Sequence, residues 1–106
     1  MKTIEFDYNS KHYVLGYTRR SVAEMERKGF DFQKMGERQV GALLKLFDGA
    51  FLMNHADVSH EVIDEIYDAI DDKSALNEEL VNMFTDAVTS LYETKSKNVI
   101  KWMAKK

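Results

Sequence analysis

Val40-Gly41-Ala42-Leu43-Leu44-Lys45-Leu46-Phe47-Asp48-Gly49-Ala50-Phe51-Leu52-Met53-Asn54 is the stretch on which the fold turns. Val40, Leu43, Leu44, Phe47 and Phe51 follow the spacing of one helix face. Ala42, Leu46, Ala50, Leu52 and Met53 add apolar character to the other faces, leaving a narrow stripe of Gly41, Lys45, Asp48 and Gly49. A helix that is apolar almost all round is a buried one. The remaining periodic segments are amphipathic, as expected of elements that pack around such a centre.

Upstream, residues 2–8 and 11–17 read as two strands joined at Asn9-Ser10. Asn tolerates the positive φ that a two-residue turn requires. This turn sets the register: Phe6 opposite Tyr13 and Ile4 opposite Leu15 on one face, Asp7 beside His12 on the other. A first helix at about 18–28 starts at Thr18 or Ser21, where Ser21-Val22-Ala23-Glu24 matches a capping box, and ends at Gly29. A connector over 29–39 carries Phe30 and Phe32. The central helix covers about 37–54. A helix at about 59–72 has Val62, Ile66, Ala69 and Ile70 on one face, with Ile63 beside them. After a loop over Ser74–Asn77, a fourth helix at about 77–93 turns Leu80, Phe84, Ala87, Val88 and Leu91 inward. The expected fold is α+β, mainly α: a single domain over 1–93, with an N-terminal β-hairpin packed on four helices. The basic tail 94–106 has Val99, Ile100 and Met103 at a spacing that allows a fifth short helix. The expected core is Ile4, Phe6, Leu15, Val22, Met25, Leu43, Leu44, Phe47, Phe51, Val62, Ile66, Leu80, Phe84 and Leu91.

Composition narrows the function classes. The chain has 106 residues, of which 44% are apolar and 31% charged, as in ordinary globular domains. It has no cysteine, hence neither a disulfide framework nor a thiolate metal site. No apolar run has the length of a membrane span, and the N-terminus lacks the apolar core of a signal peptide. The net charge of −3 is unevenly spread. Asp57 to Asp72 holds seven acids and no Lys or Arg, whereas Thr94 to Lys106 holds five lysines and no acid. Such a balance argues against nucleic-acid binding by the whole surface but not by the tail.

Two clusters resemble metal motifs only in part. His60-Glu61-Val62-Ile63-Asp64 has the spacing of a zinc-protease helix, with Asp in place of the second His and no obvious third ligand. The acids of 57–72 match no calcium-loop spacing and follow the helix period instead. Neither a metal nor a cofactor is expected, and no Gly-rich phosphate loop, nucleophile elbow or acid–base dyad suggests an enzyme. Arg19 and Arg20 beside Tyr17, with Arg27, Lys28 and Lys34, could meet phosphate. Glu24, Glu26, Asp31 and Glu37 dilute that patch.

A resemblance goes further than these residues do. Gly16-Tyr17-Thr18-Arg19-Arg20-Ser21-Val22, Met25-Glu26-Arg27-Lys28-Gly29-Phe30-Asp31, Leu46-Phe47-Asp48-Gly49-Ala50-Phe51-Leu52 and Glu61-Val62-Ile63-Asp64-Glu65-Ile66-Tyr67 resemble the tail assembly chaperones of siphophages and prophages of Gram-positive bacteria. The resemblance spans most of residues 3–93. It implies a non-enzymatic factor of the host bacterial cytoplasm that covers the tape measure protein and helps recruit the tail tube protein. Such a factor leaves before the virion matures. A tape measure exposes long apolar helical seams, which would aggregate uncovered. Many copies of modest affinity suit that task, so a homo-oligomer is expected, helped by any ribbon edge left open. The candidate partner-binding residues are Arg19, Arg20, Lys45, Asp48 and Trp102. Asp48 departs from the aromatic common before Gly-Ala-Phe in that family, and the tail with Trp102 has no counterpart there. The alternative is a small phage-encoded regulator that binds nucleic acid through Arg19, Arg20 and the lysines. The resemblance also implies a longer frameshifted form, for which Ala104-Lys105-Lys106 can be encoded by the slippery GCA AAA AAG.

Overall fold

The computed structural model describes residues 1–34, 39–93 and 97–105. A two-stranded antiparallel ribbon of β1 (Ile4–Tyr8) and β2 (Lys11–Leu15) leads into four helices. They are α1 (Arg19–Arg27), α2 (Gln39–Ala50), α3 (His60–Ala69) and α4 (Lys73–Thr89), with a short 3₁₀ turn at Phe32–Lys34. The expected helix start at residue 37 and the tail residues 94–96 and 106 lie outside the described residues. Residues 97–105 form no helix.

The ribbon has the register that its turn dictates: Phe6 pairs with Tyr13, Ile4 with Leu15 and Asp7 with His12. Asn9 and Ser10 both take positive φ, 48° and 65°, which matches the twist of the strands. Helix α1 begins at Thr18 rather than Ser21. Thr18 Oγ1 accepts from the Ser21 N–H at 3.0 Å while Ser21 Oγ accepts from the Thr18 N–H at 2.8 Å. Ser21 therefore plays the reciprocal part in the capping box, three residues into the helix. The other end closes on Gly29 at φ +99°, with the Phe30 N–H donating to Met25 and the Gly29 N–H to Glu26. That pair of bonds is the Schellman motif, and it seats Phe30 in the core beside Met25.

Helix α2 is central, but its buried face is turned by about 100°, one residue's step, from the expected one. Ala42, Leu46, Phe47, Gly49 and Ala50 are buried. Leu43 is half-buried, while Leu44 is 45% and Val40 76% exposed. Small residues explain the turn: a Cβ on Gly49 would lie 2.7 Å from Met25 Cγ, so α1 sits against bare helix backbone there. The helix ends at Ala50, short of Asn54, and 51–54 continue as turns that bury Phe51. Phe47 packs edge-on against Phe51 and Tyr67, with centroids 5.1 and 5.0 Å apart. Each such buried ring contributes about 1.5–3 kcal/mol of transfer free energy.

The last two helices depart from the expected boundaries. Ser59 caps α3, whose buried residues are Ile63 and Ile66, with Val62 at the margin. Helix α4 starts at Lys73, so Ser74–Asn77 are helical and not a loop. Asp72, in the left-handed region at φ 51°, accepts from the Ala75 N–H and starts it. Lys73 Nζ donates to the Asp68 and Ile70 carbonyls, closing the α3–α4 corner. Because α4 ends at Thr89, Leu91 lies beyond it and is 55% exposed instead of buried.

Candidate functional site

The rotation of α2 produces the candidate site. Val40, Leu44 and Asp48, four residues apart, form one outward ridge, with Gly41 and Lys45 beside it. Apart from its chain neighbours and its own helix's backbone, no atom of the described residues lies within 4 Å of where a Gly41 Cβ would stand. At its Asp48 end the ridge runs into a cleft of about 320 Å³ between α1, α2, the 55–58 link and α3. Met25, Phe30, Phe51, Leu52, Val58 and Ile63 give it an apolar floor. Lys28, Lys45, Asp48, His55 and His60 supply its polar lining.

Asp48 is half-buried, and desolvation raises its pKa despite the His60 imidazole 3.7 Å away, whose charge lowers it. His55 is placed by a different demand. Its Nε2 accepts from the Val14 N–H at 3.0 Å, so the proton of the neutral ring belongs on Nδ1. Asn54 Nδ2 donates to the Val14 carbonyl, and the Gly16 N–H donates to the Ala50 carbonyl at the end of α2. The outer edge of β2 is thereby closed against α2. Burial lowers the His55 pKa. Behind it, the Tyr17 hydroxyl donates to the Leu46 carbonyl at 2.6 Å, and burial raises its pKa well above the usual tyrosine value.

The five candidate binding residues fall in three places. Lys45 and Asp48 line the cleft. Arg19 and Arg20 lie in a second depression with Tyr17, Met83 and Ala87, away from α2's outward ridge. Arg19 is committed there: its guanidinium donates to Ser90 Oγ at 3.2 Å and to the Ser90 carbonyl at 2.9 Å, capping the end of α4. Trp102 is 84% exposed on the tail. Val40 and Leu44 were missed as surface residues because apolar spacing marked them as core. Glycine and alanine carry the opposite face yet add little to such a pattern. Among the described residues no group of three His, Asp or Glu is placed to hold a metal, and no helix is long and apolar enough to cross a membrane.

Fold and ridge together define a small α+β protein, mainly α, with a helical apolar face turned outward. The chain belongs to the family described as domain of unknown function DUF5055, whose model matches residues 1–106. No curated protein and no solved structure matches it.

Proposed function

We propose that this protein is a non-enzymatic tail assembly chaperone, working in the host bacterial cytoplasm and absent from the mature virion. It covers helices of the tape measure protein and helps bring in tail tube subunits. The observation that carries the reading is the exposed Val40–Leu44 ridge of α2, an apolar strip that a partner's helical seam can share. Gly41 allows close backbone approach, and Lys45 and Asp48 offer one charge of each sign to fix orientation. Arg19's engagement with Ser90 takes support away from the alternative, a nucleic-acid regulator built on Arg19, Arg20 and the lysines.

The test is co-purification with the tape measure protein encoded nearby. Val40→Asp with Leu44→Asp should weaken binding roughly tenfold or more while lowering the melting temperature by only a few degrees, because Val40 is 76% and Leu44 45% exposed. Added salt should hardly matter. Binding that survives both substitutions refutes the reading, as does capture of nucleic acid instead with a steep salt dependence.

A further inference from the structure

We infer that the C-terminal tail of one copy adds as a strand to the open edge of β1 in a second copy, filling the acid-rimmed groove beneath it. This is independent of what the α2 ridge binds.

The groove comes first. In a hairpin with a two-residue turn the Tyr8–Lys11 pair beside the turn exchanges hydrogen bonds, and so do Phe6–Tyr13 and Ile4–Leu15. The backbone groups of Glu5 and Asp7 therefore point to the outer edge. None of the backbone bonds outside the regular elements engages them among the described residues. The β2 edge is closed by Asn54, His55 and Ala50, so β1 holds the ribbon's unpaired edge. Below β1 a groove runs to α3 and α4, with Ile4, Phe6, Tyr8, Ile66, Ile70 and Leu76 as its apolar lining. Five acids line it as well, Glu5, Asp7, Asp71, Asp72 and Glu79, and no Lys or Arg does; Lys2 reaches Glu79 from outside the groove, and His12 bonds Glu5 and Asp7. A second β1 is a poor occupant, because it would add its own Glu5 and Asp7 to this acidic face.

The tail has the complementary chemistry. Lys97 to Lys105 contains three lysines, no acid and four large apolar side chains. Val99, Ile100, Trp102 and Met103 are between 59% and 86% exposed, an unusual display for one short segment. Read as a strand, its side chains alternate. Ile100 and Trp102 share one face, and Lys97, Lys101 and Lys105 lie on the other with Val99 and Met103 between them. Beside β1 the first face meets Ile4, Phe6 and Tyr8 above the groove, and the lysines come level with Glu5 and Asp7. Main-chain bonds to the edge supply affinity, and the charges fix which face turns inward. Because one copy gives its tail and the next its groove, the contact is head-to-tail and propagates into a ring or an open chain.

Sedimentation and light scattering of the full chain across a concentration range test this, with Trp102, the one tryptophan, as a fluorescent reporter. The expected result is concentration-dependent assembly, weakened by salt, with Trp102 emission shifting to the blue as assembly proceeds. Trp102→Ser with Ile100→Ser, and separately Glu5→Lys with Asp7→Lys, should each weaken assembly roughly tenfold or more. All four side chains are solvent-exposed, and the acid-to-lysine pair also removes the surface bonds to His12. Circular dichroism of each variant at the assay temperature therefore checks that it is folded before assembly is compared. Mixed together, the two variants should restore one contact and stop at a heterodimer, since one retains the groove and the other the tail. A monomeric wild type overturns the inference. So does a blue shift independent of concentration, which would mean a tail folded onto its own groove, or a mixture that fails to pair.

Discussion

Replacing Gly49 by alanine tests whether close approach at small residues sets the phase of α2. Two glycines of the same helix make the comparison. At Gly41 the added methyl meets open space, so only helix propensity changes, worth about 1 kcal/mol in favour of alanine. At Gly49 the methyl lands on the middle of the buried Met25 side chain, with Cγ 2.7 Å away. Overpacking of that kind costs about 1–3 kcal/mol, which offsets or exceeds the same propensity gain. With about 2.1 cal/mol/K of unfolding entropy per residue, 1 kcal/mol in a domain of this size moves the melting temperature by about 4–5 °C. Gly41→Ala should therefore melt about 4 °C higher than the wild type, and Gly49→Ala unchanged to about 8 °C lower. In a Met25→Ala background, itself less stable, Gly49→Ala should turn stabilising, because the obstacle is gone. Thermal unfolding followed by circular dichroism measures the wild type and all four variants. A Gly49→Ala protein as stabilised as Gly41→Ala, or one indifferent to the residue at 25, refutes the packing argument.

Phe47→Ala removes a ring that is 1% exposed and should cost about 3–5 kcal/mol in denaturant unfolding; a loss below about 1 kcal/mol would mean that α2 is not the centre. His55 should make stability fall on the acid side. Its folded pKa lies below the ordinary 6.5, so the folded state binds the proton less readily than the unfolded chain does. The stability it contributes is complete above about pH 6.5 and is lost as the pH falls from there through the folded pKa. His12, whose pKa is raised chiefly by its hydrogen bond to Asp7, works in the opposite direction from an exposed surface. His55→Gln removes the titration and leaves His12 in place, so its melting temperature should decline less than the wild type's between pH 6.5 and 5. Parallel curves would show that the bond from Val14 to His55 is not what protonation breaks.

The parts of this fold that were legible are those fixed by local chemistry. Asn9-Ser10 determines the ribbon register, because a two-residue turn leaves one pairing, and Gly29 ends α1 because it supplies the left-handed residue a Schellman closure needs. The phase of α2 was hidden, since its buried side depends on Gly49, Ala42 and Ala50, whose contribution is closeness rather than apolar area. The start of α4 was hidden because Asp72 is a left-handed cap that no glycine or proline announces. Of the candidate site, Lys45 and Asp48 were found as the polar breaks in an apolar helix. Apolar spacing puts Val40 on the expected buried face and Leu44 in the expected core, and the placement of His55 depends on Val14, 41 residues away, a pairing that no local pattern encodes.

The seam that joins β2 to the end of α2 makes two distant pieces of chain one cooperative unit. Val14 depends on His55, Gly16 on Ala50 and Tyr17 on Leu46, so the ribbon cannot lift away without uncapping the helix. Everything between Tyr17 and Leu46, α1 included, is a loop whose two ends are stitched together by these bonds. The entropy of closing that loop opposes formation of the seam, so these long-range bonds slow folding relative to the local contacts of the helices. In the native state the same seam divides the ribbon kinetically. The amides of Val14 in β2 and of Gly16 just after it open only when the whole unit does, while the amides of Glu5 and Asp7, across the ribbon, exchange with solvent or with an incoming strand at little cost.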